Sequence, residues 1–397
     1  MRAVVAGGGI FGVTTAIELG RRGHDVTLVD PGPLPHPLAE STDISKVVRL
    51  DYGADEAYTA LAERALDGWR RWNRGWTAPL FHETGVAFLT RGPMEPGGFE
   101  HDSLALLAAR GHSCTRVDAG EIARRFPAFR PGAFTDGYVN PQGGWVESGA
   151  VVAQLVDQAQ AAGIAVAGGC AARAIEERGG RAAGLVLDDG SVVPGELVVI
   201  ASGAWAALVC PALAGALRPS GQPVFHLRPA DPARYASDRF PVFCADIART
   251  GYYGFPATRD GLVKVANHGP GVAVDMNRAE RVVPAADEAA LRGFLGDALP
   301  DLAGAPIAGR RLCVYGDTAD GHFWIARDPD RPGVVVATGG SGHAFKFGPV
   351  LGELVADAAE GALPAPLAHR FRWRADLADA RGEEAARFRG SPPTIGE

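Results

Sequence analysis

Residues 3–12 read AVVAGGGIFG, and this stretch decides the fold. Ala3, Val4 and Val5 form a short run of strand character, and Gly7, Gly9 and Gly12 follow it as GxGxxG. Alone, that pattern is weak in so glycine-rich a chain; its surroundings strengthen it. Ile10, Val13, Ala16 and Ile17 recur at helical spacing, Gly23 closes the helix, and DVTLVD reads as a second strand ending on Asp30. Strand, glycine turn, helix and strand make a βαβ unit of the kind that holds a nucleotide pyrophosphate. Gly7 permits the tight turn, Gly9 lets backbone N–H groups approach the phosphates, and Gly12 lets helix and strand pack closely. The helix start adds partial positive charge. Asp30 falls near the roughly 20-residue interval at which a carboxylate meets the ribose.

The unit does not by itself distinguish NAD from FAD. An NAD domain continues as alternating strands and helices. This chain instead enters PGPLPHPLAESTDISKVVRLDYG, a long loop rich in proline and polar residues. The next strand of the nucleotide domain is ELVVIASGAWA, starting at Glu196. Before it come AARAIEE, a turn over Arg178-Gly179-Gly180-Arg181, AAGLVLDDG and SVVPG. An antiparallel insertion of this kind is more typical of flavoproteins. Near the end, Val334–Ala337 reads as a buried strand, and Gly339, Gly340 and Gly342 form a second glycine turn. A helix then begins around Pro349 and ends at Gly361. A flavin needs such a second device, because its pyrimidine edge gains negative charge on reduction.

At 397 residues the chain is long enough for two domains. The expected fold is α/β, a Rossmann-type domain from residues 1–80, 146–216 and 320–397. A discontinuous α+β substrate domain, built on a mainly antiparallel sheet, takes residues 81–145 and 217–319. Its strands are expected in QPVFHLRP, PVFCAD, TGYYGFPA and GLVKVANH, with a helix over roughly 286–299. From about 364 the chain is charged and partly helical, and is expected to close the surface. A net charge of −7 gives no reason to expect nucleic acid or an anionic membrane as partner. No apolar run approaches the roughly 20 residues that span a bilayer. The apolar start belongs to the glycine motif rather than to a signal peptide. Cys114, Cys170, Cys210, Cys244 and Cys313 stand singly, without metal-ligand spacing, so no metal site is expected. A cytoplasmic monomer is the expectation.

Several stretches together resemble the sarcosine oxidase family of flavin-dependent amine oxidases, within the D-amino acid oxidase superfamily. They are GGGIFG with Asp30, DISKVVRLDYG, SGAW, YYGFP with VKVANH, CVYGDTADGHFWI and SGHAFKFG, in that order along nearly the whole chain. The resemblance implies FAD, held by Gly7, Gly9, Ile10, Phe11, Gly12, Asp30, Lys46, Gly203, Trp205, Gly340, Gly342, His343 and Lys346. It also implies a thioether from Cys313 to the flavin, although alone Cys313 reads as a buried structural thiol. Arg49 and Lys346 match the pair that grips a substrate carboxylate, a planar fork beside a point charge. Tyr253 and Tyr315 match tyrosines of the substrate pocket, and Lys264 the lysine at which oxygen is reduced. Strand alternation places Lys264, Ala266 and His268 on one face, and admits only one of Tyr252 and Tyr253 to the pocket.

Three departures from the family pattern put sarcosine itself in doubt. Lys46 replaces an arginine, ESTDIS lacks a histidine, and Cys244 stands where a larger residue is expected. The implied activity is oxidation of a secondary or cyclic amino acid, sarcosine-like, N-alkyl or pipecolate-like. Hydride passes from the carbon next to nitrogen to the flavin, leaving an imine, and O2 becomes hydrogen peroxide. Two alternatives stay open: a flavin dehydrogenase that feeds an electron carrier, and a flavin-binding subunit without catalysis.

Overall fold

The structure is a computed structural model that describes residues 1–278, 280–374 and 386–388. The opening stretch folds as read. Strand Arg2–Ala6 leads through the glycine turn into helix Ile10–Arg21 and strand Asp25–Asp30. Gly7 adopts φ +105°, and a Cβ on Gly12 would lie 1.7 Å from the Gly7 carbonyl oxygen, so the turn and the helix–strand contact both demand glycine.

Arg2–Ala6 lies near the middle of a six-stranded sheet. Parallel neighbours Asp25–Asp30 and then Ala165–Gly168 extend it on one side. Leu197–Ile200 and Val334–Thr338 extend it on the other, and antiparallel Trp324–Arg327 closes that edge. Val4, Val5, Val198, Val199 and Val336 are fully buried, as a parallel sheet covered on both faces requires. The expected insertion is a separate antiparallel sheet of Ala172–Arg178, Arg181–Leu187 and Val192–Pro194.

The second large sheet has nine strands and is mainly antiparallel. Its spine is Leu217–Leu227, paired along its whole length with Ile307–Thr318 and, on its other side, with Val263–Asn267. Tyr252–Gly254 and Val242–Ala245 follow, and Val86–Thr90 joins the latter in parallel. Helix Ala285–Ala298 packs Leu291, Phe294 and Leu295 against this sheet, with Phe294 stacked on Tyr252 at 4.2 Å.

Two expectations need correction. The long loop after Asp30 is not loop throughout, since Lys46–Val48 is a strand paired with Gly144–Val146. The glycine turn after Val334–Thr338 does not run directly into a helix. A 3-10 turn, Phe345–Phe347, intervenes, and helix Gly348–Glu360 begins against Ile10 and Trp69. Its start is therefore packed in the core, and the charge beside the turn comes from Lys346. The surface closure expected from about 364 is described as helix Ala365–Arg370 and a short extension to Arg374. Residues 375–385 and 389–397 lie outside the described residues.

Candidate active site

Two cavities meet between the sheets. The larger, about 370 Å³, runs over the carboxyl ends of the parallel strands, where ligands of open α/β sheets bind. Gly7, Gly9, Ile10, Phe11, Asp30, Gly203, Trp205 and Gly340 line it, so most of the expected cofactor residues share one cleft. Gly12 lies beneath it as the packing contact described above. The Asp30 carboxylate accepts hydrogen bonds from the Gly8 N–H at 2.8 Å and the Gly32 N–H at 3.1 Å, which hold it at the cleft wall. Ser41 Oγ accepts from the first helical N–H, that of Ile10, at 2.9 Å.

Ser202 also lines this cleft, and its Oγ is buried with no partner among the described residues. A buried hydroxyl facing a cavity is costly unless a ligand or water satisfies it. The cleft thus offers a glycine turn, a helix start, a ribose-type carboxylate and an unmet hydroxyl. These residues fit a dinucleotide.

Glu40 was not anticipated from the sequence. It lines the cleft, and burial raises its carboxyl to about 7 despite Lys46 nearby.

The smaller cavity opens from the same place, for Lys46 and Phe345 line both. Lys46 Nζ sits 5.9 Å over the Phe345 ring. Arg49, Lys264 and Lys346 gather around this pocket together with Tyr253, His268, Tyr315, Gly342, His343 and Cys244. The Arg49 guanidinium lies 4.7 Å over the Tyr52 ring, and the residue is only 6% exposed, which excludes a surface arginine. Lys346 Nζ donates to Tyr52 Oη at 2.9 Å and to the His343 carbonyl at 2.7 Å. His343 Nε2 lies 2.9 Å from the Gly321 carbonyl, an obligate acceptor, and Nδ1 lies 3.1 Å from Tyr52 Oη. That geometry suits a neutral ring which donates from Nε2 and accepts from the tyrosine. Gly342, at φ +76°, leaves room for Tyr315, since a Cβ there would come within 2.2 Å of that ring.

Strand alternation sorts the other residues as expected. Tyr253 enters the pocket while Tyr252 packs into the opposite core. Lys264 and His268 face the pocket, and Val263 and Val265 face away. Along Ile307–Thr318 the two faces divide the two cavities. Val314 and Gly316 line the cleft, whereas Cys313 and Tyr315 pack with Val224 and Ala266 on the other side. Cys313 is buried and lines neither cavity directly; its Sγ lies 3.9 Å from the Glu40 carbonyl oxygen.

Lys264 has a partner that local sequence could not show. Its Nζ donates to Asp43 Oδ2 at 2.6 Å and to the Ser45 carbonyl at 2.5 Å, and lies 4.8 Å over Phe255. Burial draws the ammonium down from its ordinary value, and the Asp43 carboxylate opposes that. Burial would raise Asp43, but the Lys264 charge and then the His226 hydrogen bond hold it well below the usual carboxylate range. We take the pair as ionised, because both partners keep a charge-assisted contact. Tyr52, Asp43 and His226 are therefore site residues that sequence reasoning missed. For Asp43 and Tyr52 the only local signal is that they flank Lys46 and Arg49 in DISKVVRLDY.

The family model described as "DAO: FAD dependent oxidoreductase" matches residues 2–358. Monomeric sarcosine oxidase of Bacillus sp. (strain B-0618) is 29% identical over 366 residues, covering 90% of this chain and 91% of the relative. N-methyl-L-tryptophan oxidase of Shigella flexneri is 29% identical, with 90% and 94% covered. Among solved structures, the fructosyl amine:oxygen oxidoreductase amadoriase I of Aspergillus fumigatus superposes with a TM-score of 0.81 at 26% identity. That match covers 98% of this chain and 93% of the other.

Proposed function

This chain belongs to the DAO family of FAD-dependent oxidoreductases, and from that we propose that it oxidises a secondary or cyclic amino acid with O2 as acceptor. The observation that carries this reading is the junction at Lys46 and Phe345, through which the nucleotide cleft opens directly onto a pocket holding three cationic side chains. Relatives named for sarcosine, N-methyl-L-tryptophan and fructosyl amines support a substituted amine as substrate. Bound FAD supplies a hydride acceptor for the carbon next to nitrogen and a two-electron donor for O2, with an imine and hydrogen peroxide as products.

The protein's own groups do the rest. Arg49 offers its fork to the substrate carboxylate, stacked on Tyr52 so that little rotamer freedom is lost on binding. Lys346, fixed by Tyr52 and His343, adds a second positive charge in the smaller pocket. Both favour a carboxylate, and their charge favours the neutral amine over the ammonium, which keeps the nitrogen lone pair available. Tyr253 and Tyr315 wall the pocket. Lys264 is the cation at which O2 gains negative charge.

We assign the FAD-binding part to residues 1–80, 146–216 and from 320 on, and the substrate part to 81–145 and 217–319. Cys313 is the proposed thioether link, on the same strand face as Tyr315. If so, flavin stays with the acid-denatured chain, and Cys313→Ala releases it. All five cysteines are unpaired, which fits the proposed cytoplasmic setting, and a monomer is proposed there.

One observation favours a second reading. Asp43 offsets the Lys264 charge, which would suit an enzyme that passes electrons to a carrier and not to oxygen. Anaerobic flavin absorbance separates the two. Sarcosine, N-methyl aromatic amino acids, L-proline, L-pipecolate and glycated amino acids are offered in turn, and air is then admitted. Bleaching followed by rapid recolouring with peroxide supports the oxidase. Bleaching with sluggish recolouring supports the dehydrogenase, and no bleaching by any compound overturns both.

A further inference from the structure

Lys264 is 3% exposed at its side chain and Asp43 is 2% exposed, yet the Asp43 carboxylate also meets a more exposed side chain. Asp43 Oδ2 takes the Lys264 ammonium at 2.6 Å, and Oδ1 takes His226 Nε2 at 3.0 Å. His226 is the only one of the three with appreciable access to water, at 16%. It sits on the Leu217–Leu227 strand directly opposite Lys264 in the ladder, and on its other flank the paired residue is Gly309. A Cβ on Gly309 would lie 3.0 Å from His226 Nδ1, so the glycine leaves the outer ring nitrogen uncrowded. The Ile44 N–H also donates to Asp43 Oδ1 at 2.7 Å, and Ser148 Oγ and the Gly149 N–H hold the Asp43 carbonyl. The Asp43 backbone is therefore anchored, with its carboxylate between the lysine and the imidazole.

We propose that His226 and Asp43 form a proton path from solvent to Lys264, which restores the ammonium after it has protonated reduced oxygen. The proposal rests on the oxidase reading above. In that reaction a hydride equivalent leaves the amine and its two electrons reach O2, so hydrogen peroxide needs one further proton. Lys264 Nζ gives that proton. With the lysine neutral, His226 Nε2–H protonates Asp43 as solvent protonates Nδ1. The carboxyl group turns to carry that proton to the lysine amine, and exchange with solvent returns the imidazole proton to Nε2. One proton enters at the surface and one leaves at Nζ.

The order follows from the electrostatics of the pair. While Lys264 is charged it keeps Asp43 ionised. Once the proton has left, burial dominates and the carboxylate becomes a good proton acceptor. Lys46 is the other cation that bears on Asp43.

The test reduces the holoenzyme photochemically, so that no substrate need be known, and mixes it with O2 in dilute buffer. His226→Ala should reoxidise at least about tenfold more slowly than the parent, and added imidazole should restore the rate in proportion to its concentration. His226→Gln, which keeps a polar side chain of similar size, should be slow in the same way. A rate equal to the parent's, or a slow rate that ignores imidazole, overturns the path and leaves the pair as a strut. Imidazole ¹⁵N shifts of the oxidised holoenzyme give a readout without turnover. The ring should carry a proton on Nε2 in the parent and lose that preference in Asp43→Ala; a parent ring without a proton on Nε2 counts against the path. Parent enzyme that reoxidises slowly, and no slower as Lys264→Met, would instead remove the oxidase reading.

Discussion

Arg49 and Lys346 line the same pocket and are proposed to hold the carboxylate by different chemistry, which substitution should separate. Arg49→Ala removes a charge-assisted fork and should weaken acetate-like inhibitors by about 2 kcal/mol, near thirtyfold in Kd, as flavin difference titration would read. Unchanged inhibitor binding would move the carboxylate elsewhere. Lys264→Met should slow reoxidation by about a hundredfold while leaving flavin reduction nearly intact, and equal losses in both half-reactions would refute its role at oxygen. Glu40 gives a pH signature. Its carboxyl ionises near the usual value of about 4.3 when unfolded and at about 7 when folded. Between those values the folded state binds more protons, so stability of the flavin-free protein should fall as pH rises from about 5 to about 7 and then level off. Glu40→Gln should flatten that slope in thermal unfolding. The sequence exposed Arg49, Lys264 and Lys346 because each sits in a motif. It hid Asp43 as the partner of Lys264, because the two lie 221 residues apart and meet only through the fold.

The glycine turn between Arg2–Ala6 and Ile10–Arg21 was legible because its chemistry is local. The same geometry makes it fragile. Gly12→Ala would drive a methyl group to 1.7 Å from the Gly7 carbonyl oxygen, which neither the strand nor the helix can yield cheaply. The expected outcome is a loss of about 3 kcal/mol or more and a protein purified without flavin colour. A yellow Gly12→Ala variant of parental Tm would refute this account of the turn. The Val263–Asn267 strand was equally legible: alternation puts Lys264 and Val263 on opposite faces, and the family resemblance assigns the Lys264 face to the pocket, where the structure has it. The Lys46–Val48 strand was not. It is three residues long and exists through its pairing with Gly144–Val146, for which proline-rich flanking sequence gives no sign. The 3-10 turn at Phe345–Phe347 escaped for a similar reason. It forms where Trp69 Nε1 donates to the Lys346 carbonyl at 2.6 Å, a contact set by a distant helix.

At the scale of the molecule, the cofactor cleft is assembled from Gly7, Lys46, Ser202 and Gly340, segments spread along the chain. A ligand bound there ties them together, so stability should follow its occupancy. In Cys313→Ala, where FAD exchanges freely on the reading above, FAD at a hundred times its Kd should add about 2.7 kcal/mol of stability. A Tm indifferent to FAD would deny that the cleft is its site. The interleaving of the two large sheets was legible from the order of strand patterns. Their junction at Lys46 and Phe345 was not, because it depends on where side chains from separate segments come to lie. The Ile307–Thr318 strand also bears on how such an enzyme can be redesigned. Its residues act as two columns in strict alternation, with Cys313 and Tyr315 in one and Val314 and Gly316 in the other. One codon gained or lost upstream in that strand would transpose the columns, and the thiol and the phenol would leave their places together. Libraries for retargeting should therefore randomise position 315 in place, keep Cys313, and hold the length of the strand constant.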